Sequence, residues 1–189
     1  CQIVFIPTSE DVYENEVNHQ IDIKSIENIL EGAHRPGHFN GVLRVLTQFF
    51  KIINPDKSYF GLKDYQQYLV VKELSKQLNL GGEIIGCDTV RESSGLAKSS
   101  RNLRLSEEDL ILAGQIFKSF NSIKNSDQPL NSLENERKVL SKYFELEYLE
   151  LRDGETFQEI SEIKAHNHIR IFFAGKIGNV RLIDNFRIK

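Results

Sequence analysis

The sequence predicts a parallel-sheet α/β domain followed by a small α+β domain. Two observations lead there. Up to residue 90, short apolar runs alternate with segments of helical periodicity, an order that implies parallel strands joined by right-handed crossovers. Beyond it, two helical segments precede three strand-like runs.

The elements follow in order. Residues 3–6 (IVFI) read as a short buried strand ended by Pro7, and residues 25–30 (SIENIL) as one or two helical turns. In FNGVLRVLTQFFKIINP, Val42, Val45, Leu46, Phe49, Phe50 and Ile53 fall at helical spacing and predict one apolar face. Asn54-Pro55-Asp56 stops that helix. Residues 57–60 read as a strand and 64–78 as a helix with Tyr65, Tyr68, Leu69 and Leu78 inward. Gly81-Gly82 and then EIIGC, residues 83–87, give a turn and a strand. Residues 91–104 form a polar loop without hydrophobic period. Ser106 caps a helix written SEEDLILAGQIFKSF, with Asp109 three residues on. A polar stretch at 122–129 separates it from a helix at 130–143, and strands are expected at 144–151, 169–174 and 180–184. The domains are therefore placed at residues 1–90 and 91–189, with no internal repeat.

Composition narrows the function classes. The chain has 189 residues, 40% hydrophobic and 27% charged, with a net charge of -3, so no charge excess points to nucleic acid. Its longest apolar runs fall far short of the roughly 20 residues of a membrane span, and no signal peptide is visible. Cys1 and Cys87 are too few for a disulfide framework and lack metal-site spacing, which favours a cytoplasmic location. There is no methionine, and the chain opens inside an apolar run; the expectation is that its beginning lies further upstream.

Several local patterns can carry chemistry. In SYFGLKDYQQ, Gly61, Leu62, Lys63 and Asp64 form a polar turn between a strand and a helix, where open α/β sheets bind ligands and helix N-termini attract anions. A plain helix cap by Asp64 beside a surface lysine fits the same residues. In GLAKSSRN, Lys98, Ser99, Ser100 and Arg101 offer two cations and two hydroxyls on a glycine-flanked loop, suited to a polyphosphate. A solvated basic loop fits it too; neither G-x-x-x-x-G-K-[ST] nor G-x-G-x-x-G occurs. His34 and His38 are separated by Pro36 and Gly37, which break the helix that would align two metal ligands, so no metal site is expected there. His166 and His168 flank a turn and read as structural.

Taken together, HRPGHFNGV, NPDKSYFGLKDYQQ, TVRESSGLAKSSRNLRLS and VRLIDN resemble, in order and spacing, the pantothenate synthetases (pantoate–β-alanine ligases), over essentially the whole chain. The resemblance implies a Rossmann-like nucleotidyltransferase domain of the HIGH-type superfamily followed by an α+β lid. It implies an enzyme that condenses (R)-pantoate with β-alanine, using ATP and Mg²⁺, through a pantoyl adenylate, as a cytoplasmic homodimer. Gly61, Leu62, Lys63 and Asp64 match the family's ATP turn, Val90 its adenine-side valine, and Lys98, Ser99, Ser100 and Arg101 its phosphate loop. Lys63, Ser99, Ser100 and Arg101 are the expected catalytic set. Gln67 matches the glutamine that binds pantoate; Val42, Val45 and Leu46 match the apolar wall beside it, or simple core packing, and Arg35 is assigned to the same side.

Departures are visible as well. The family's GEKD is GLKD here, the residue before SSRN is Lys98, and Cys87-Asp88 replaces a proline-bearing stretch. The helix-to-helix segment at 122–129 is also short. The family's opening strand and its M-G-x-L-H-x-G-H turn are not in this sequence, so the chain alone is expected to be catalytically silent. The alternative expectation is a non-catalytic nucleotide-binding or dimerisation fragment.

Overall fold

The computed structural model describes residues 2–13 and 21–189; Cys1, part of the redox reading, lies outside the described residues. The chain divides into two compact units, Cys1–Phe60 with Gln66–Cys87, and Gly61–Tyr65 with Asp88–Lys189. The turn at 61–65 thus clusters with the second unit, although the strand before it and the helix after it belong to the first.

In the first unit, α1 (Ser9–Tyr13), α2 (Lys24–Glu27) and α3 (Leu30–His34) precede the long α4 (His38–Ile53). β1 (Lys57–Gly61) pairs in parallel with β2 (Glu83–Cys87), and α5 (Tyr65–Leu78) is the crossover between them. Residues 3–6, expected as a strand, form none: the backbone carries no ladder there, and Ile3, Val4 and Ile6 are 81%, 74% and 84% exposed. An apolar run does not by itself make a strand, which needs a hydrogen-bonded ladder.

Both long helices bury a face other than the expected one, although Phe50 of the expected face of α4 is buried. α4 buries Phe39, Leu43, Thr47 and Phe50, while Val42, Val45 and Leu46 are half-buried and Ile53 is exposed. The helix is apolar on more than one side, so the elements packed against it decide which side is buried. Thr47 fits the interior because its hydroxyl donates to the Leu43 carbonyl at 2.7 Å. α5 buries Gln66, Val70, Val71 and Leu74, leaving Tyr65, Tyr68, Leu69 and Leu78 half-buried. After it, Gly81 takes φ +85 where a Cβ would stand 2.6 Å from the Phe50 ring, so only glycine fits that turn.

The second unit packs α6 (Glu107–Ala113), α7 (Gln115–Lys124) and α8 (Pro129–Leu140) on the antiparallel sheet β3 (Glu145–Asp153), β4 (Ile169–Ile177) and β5 (Val180–Arg187), in that order. Ser106 caps α6 by accepting from the Asp109 amide at 3.1 Å, as the sequence predicts. The single helix expected from 106 to 120 is instead broken at Gly114, and α7 runs on to Lys124. Ile123, placed in the polar stretch by sequence, is fully buried and holds that extra turn in the core. Ile116, Phe120, Leu140, Leu149, Ile171 and Phe173 centre this core, one continuous cluster between helices and sheet.

Candidate active site

The strand β1 ends at Gly61, and Leu62–Asp64 make a single 3₁₀ turn before α5. So short a turn leaves carbonyls without helical partners. They find one in Asn185 of β5, whose Nδ2 donates to the Leu62 carbonyl at 2.9 Å and to the Lys63 carbonyl at 2.8 Å. Tyr65, next in the chain, donates its hydroxyl to the Gly154 carbonyl at 2.9 Å and lies under the Arg170 guanidinium.

The second turn of interest follows a small hairpin. Arg91 and Ala97 bridge, and the Lys98 amide donates to the Val90 carbonyl at 2.9 Å. Gly95 at its tip has φ +87 and presses on the Phe117 ring, which a Cβ would meet at 2.2 Å. Ser99 then caps the 3₁₀ turn Ser100–Arg104 by accepting from the Arg101 amide at 3.2 Å. Asn102 donates to the Ala97 carbonyl at 3.0 Å, closing the loop on itself.

One strand holds both turns. Asp184 accepts from Arg91 at 2.6 and 3.1 Å, and Arg91 also donates to the Gly95 carbonyl at the hairpin tip. Burial pushes the Asp184 carboxyl up from its ordinary range, opposed by Arg91, by the Asn185 amide and by the charge of Lys63.

Within this unit Lys63, Ser99, Arg101, Asn102, Arg181 and Asp184 line a common cleft. Its enclosed volume is about 10 Å³, room for about one water. The charges there are not equivalent. Arg181 is held by Glu147 at 2.7 Å and Asp184 by Arg91, whereas among the described residues neither Lys63 nor Arg101 has an ion-pair partner. Two cations outside any direct ion pair, a serine hydroxyl and the amides of a tight turn on one cleft suit anionic oxygens. Gly61, Asp64, Val90, Lys98 and Ser100 are exposed on the same unit, Leu62 is half-buried, and Lys98 stands 3.7 Å from Glu92.

The remaining sequence-predicted residues sit in the first unit. Arg35, Val42 and Val45 line an open groove with Pro36, Gly37, His38 and Gly41, of about 540 Å³. Leu46 is half-buried outside it. Arg35 pairs with Glu31 at 3.5 Å. The two adjacent glutamines have unlike surroundings. Gln66 is buried and fully engaged, accepting from the Glu31 amide and donating to the Ile26 and Ile29 carbonyls. Gln67 is half-buried, and among the described residues its side chain has no hydrogen-bond partner.

The family described as pantoate-beta-alanine ligase matches residues 1–187. The chain belongs to the pantoate–β-alanine ligase family. It is 41% identical to the pantothenate synthetase of Cytophaga hutchinsonii over 100% of this chain and 69% of that protein. The same enzyme of Caldicellulosiruptor bescii is 38% identical over 98% of this chain and 68% of its own length. The chain therefore spans about two thirds of these ligases. The crystal structure of the pantothenate synthetase from Thermus thermophilus superposes with a TM-score of 0.86, at 32% identity over 96% of this chain and 68% of that one. The pantoate-beta-alanine ligase from Francisella tularensis, described as complexed with beta-gamma ATP and beta-alanine, gives 0.69 at 34% identity over 95% of this chain and 62% of that one.

Asp184, Asn185, Arg91 and Asn102 carry site geometry that the sequence assigned to no role. The signal available was a polar Asp-Asn pair following the apolar Leu182-Ile183 in the strand-like run VRLIDNF.

Proposed function

We propose that the chain contributes to ATP-dependent condensation of (R)-pantoate with β-alanine through a pantoyl adenylate. The observation that carries this reading is the pair of cations outside any direct ion pair, Lys63 and Arg101, gathered with Ser99 on one cleft of a chain from this ligase family. In the first step a pantoate carboxylate oxygen bonds to the α-phosphorus of ATP while the bond to the pyrophosphate oxygen breaks. Negative charge grows on the leaving pyrophosphate, and fixed cations and N–H groups facing those oxygens stabilise it. Lys63, Arg101, Ser99, Ser100 and Lys98 serve that role, with Gly61, Leu62, Asp64 and Val90 around the nucleotide. In the second step the β-alanine amine adds to the acyl carbon, AMP leaves with the bonding pair, and the amine loses a proton.

Gln67 and Arg35, with the apolar wall of Val42, Val45 and Leu46, hold pantoate. An amide both donates and accepts, so Gln67 suits a hydroxyl and a carboxylate together. ATP brings its Mg²⁺. Among the described residues no three His, Cys, Asp or Glu side chains gather as a metal site, and Asp64 is the one carboxylate proposed beside it. Residues 1–90 form the ATP- and pantoate-binding domain in this reading and 91–189 the lid. A homodimer in the cytoplasm is the setting that accords with the family resemblance.

Pantoate-dependent exchange of labelled pyrophosphate into ATP tests the scheme in the enzyme that carries this chain. Exchange is expected without β-alanine. Exchange that requires β-alanine would contradict a separate adenylate step.

A further inference from the structure

The side chain of Asn185 is buried, at 4% exposure, and both of its polar ends are engaged. Its Nδ2 meets two acceptors, the carbonyls of Leu62 and Lys63, and its Oδ1 meets a group that can only donate, the Arg170 guanidinium. The opposite amide orientation would set a donor against donors and an acceptor against two carbonyls, so the network permits one orientation. Arg170 is itself fixed, 3.9 Å over the Tyr65 ring at the end of the same turn.

We infer that Asn185 is a positioning residue for the adenylation step, holding the backbone of Leu62 and Lys63 and so the anchor of the Lys63 ammonium. This rests on the reading of Lys63 as a phosphate-contacting cation. A lysine ends in a point charge on a flexible stem, so the accuracy with which it meets developing charge depends on how firmly its backbone is held. A three-residue 3₁₀ turn has little stiffness of its own. Asn185 supplies the stiffness from an edge strand of a packed sheet. Its neighbour Asp184, on the opposite face of β5 as alternation requires, holds Arg91 and through it the hairpin leading to Ser99 and Arg101. Two consecutive residues of one strand thus register both phosphate-facing turns against each other.

The test is Asn185→Asp in the enzyme that carries this chain, read by pantoate-dependent ATP–pyrophosphate exchange. The substitution keeps the volume and the acceptor for Arg170 but removes the donor shared by the two carbonyls. The exchange kcat is expected to fall about 10- to 100-fold, with the KM for pantoate unchanged within about 2-fold. In a Lys63→Ala background the same change is expected to cost no more than about 2-fold, because the group it positions is already gone. Wild-type exchange in Asn185→Asp, or an equal loss in both backgrounds, would overturn the inference. Should Asn185→Asp fail to fold, Asn185→Ser keeps one hydroxyl donor and is read by the same cycle. If Lys63→Ala itself exchanges normally, the reading of Lys63 is what fails, and the two failures are told apart.

Discussion

Arg91 and Asp184, 93 positions apart in sequence, meet through two hydrogen bonds of 2.6 and 3.1 Å, the carboxylate side chain 2% exposed and the guanidinium 16%. The guanidinium also lies 4.5 Å over the Phe117 ring. Removing the carboxylate leaves a buried cation without its partner. Asp184→Ala is therefore expected to lower the unfolding free energy by about 3–5 kcal/mol, measured by chemical denaturation. A loss below about 1 kcal/mol would mean that water reaches the guanidinium and the pair does not organise the hairpin.

The adjacent glutamines should separate into stability and binding. Gln66→Leu removes the partner of the Glu31 amide and of the Ile26 carbonyl inside the first unit, each worth about 1–3 kcal/mol when buried unpaired, while the Ile29 carbonyl keeps the Gly32 and Ala33 amides. Its thermal midpoint should fall clearly. Gln67→Ala should leave that midpoint in place and raise the KM for pantoate about 10-fold, the equivalent of one lost polar contact. A Gln67→Ala enzyme with a raised KM for ATP alone would refute the assignment to pantoate.

Asp153 gives a pH prediction. Burial raises its pKa, but the amides of Thr156 and Glu155, the ring of His166 and the Thr156 hydroxyl outweigh that and hold it at about 2 instead of 3.8. A carboxylate depressed in the folded state contributes stability above pH 3.8 that is lost as pH falls towards 2. With solvent screening allowed for, the contribution is about 1–2 kcal/mol. Asp153→Asn should be less stable than wild type at about pH 6 and close to it near pH 2 in urea titrations. An equal difference at both values would remove Asp153 as the titrating group.

Much of the fold was legible in the sequence, and the limits have physical causes. The strand EIIGC and the Ser106 cap are local signals, carried by residues within a few positions of one another, and the structure has both. The inward face of α4 is not local. Phe39, Leu43 and Phe50 compete with Val42, Val45 and Leu46 on a helix apolar around much of its girth, and the packing of the unit decides. Gly114 splits a helix that the hydrophobic pattern alone would continue. In the candidate site, the turn at 61–64 and the loop at 98–101 stand out by residue type. Their common attachment to Asp184 and Asn185 depends on pairings 93 to 123 positions long, which no local pattern encodes. Gln66 and Gln67 are chemically identical, and only the backbone of α5 decides which one faces inward.

In the proposed reaction Lys63 stabilises charge on the phosphates during adenylate formation. Pantoate-dependent ATP–pyrophosphate exchange by Lys63→Ala, in the enzyme that carries this chain and with folding checked by circular dichroism, tests it most directly. A loss of about 100-fold or more in exchange rate is expected, the scale of one charge-stabilising donor. A folded Lys63→Ala enzyme exchanging within about 2-fold of wild type would contradict it and return Lys63 to the solvated surface.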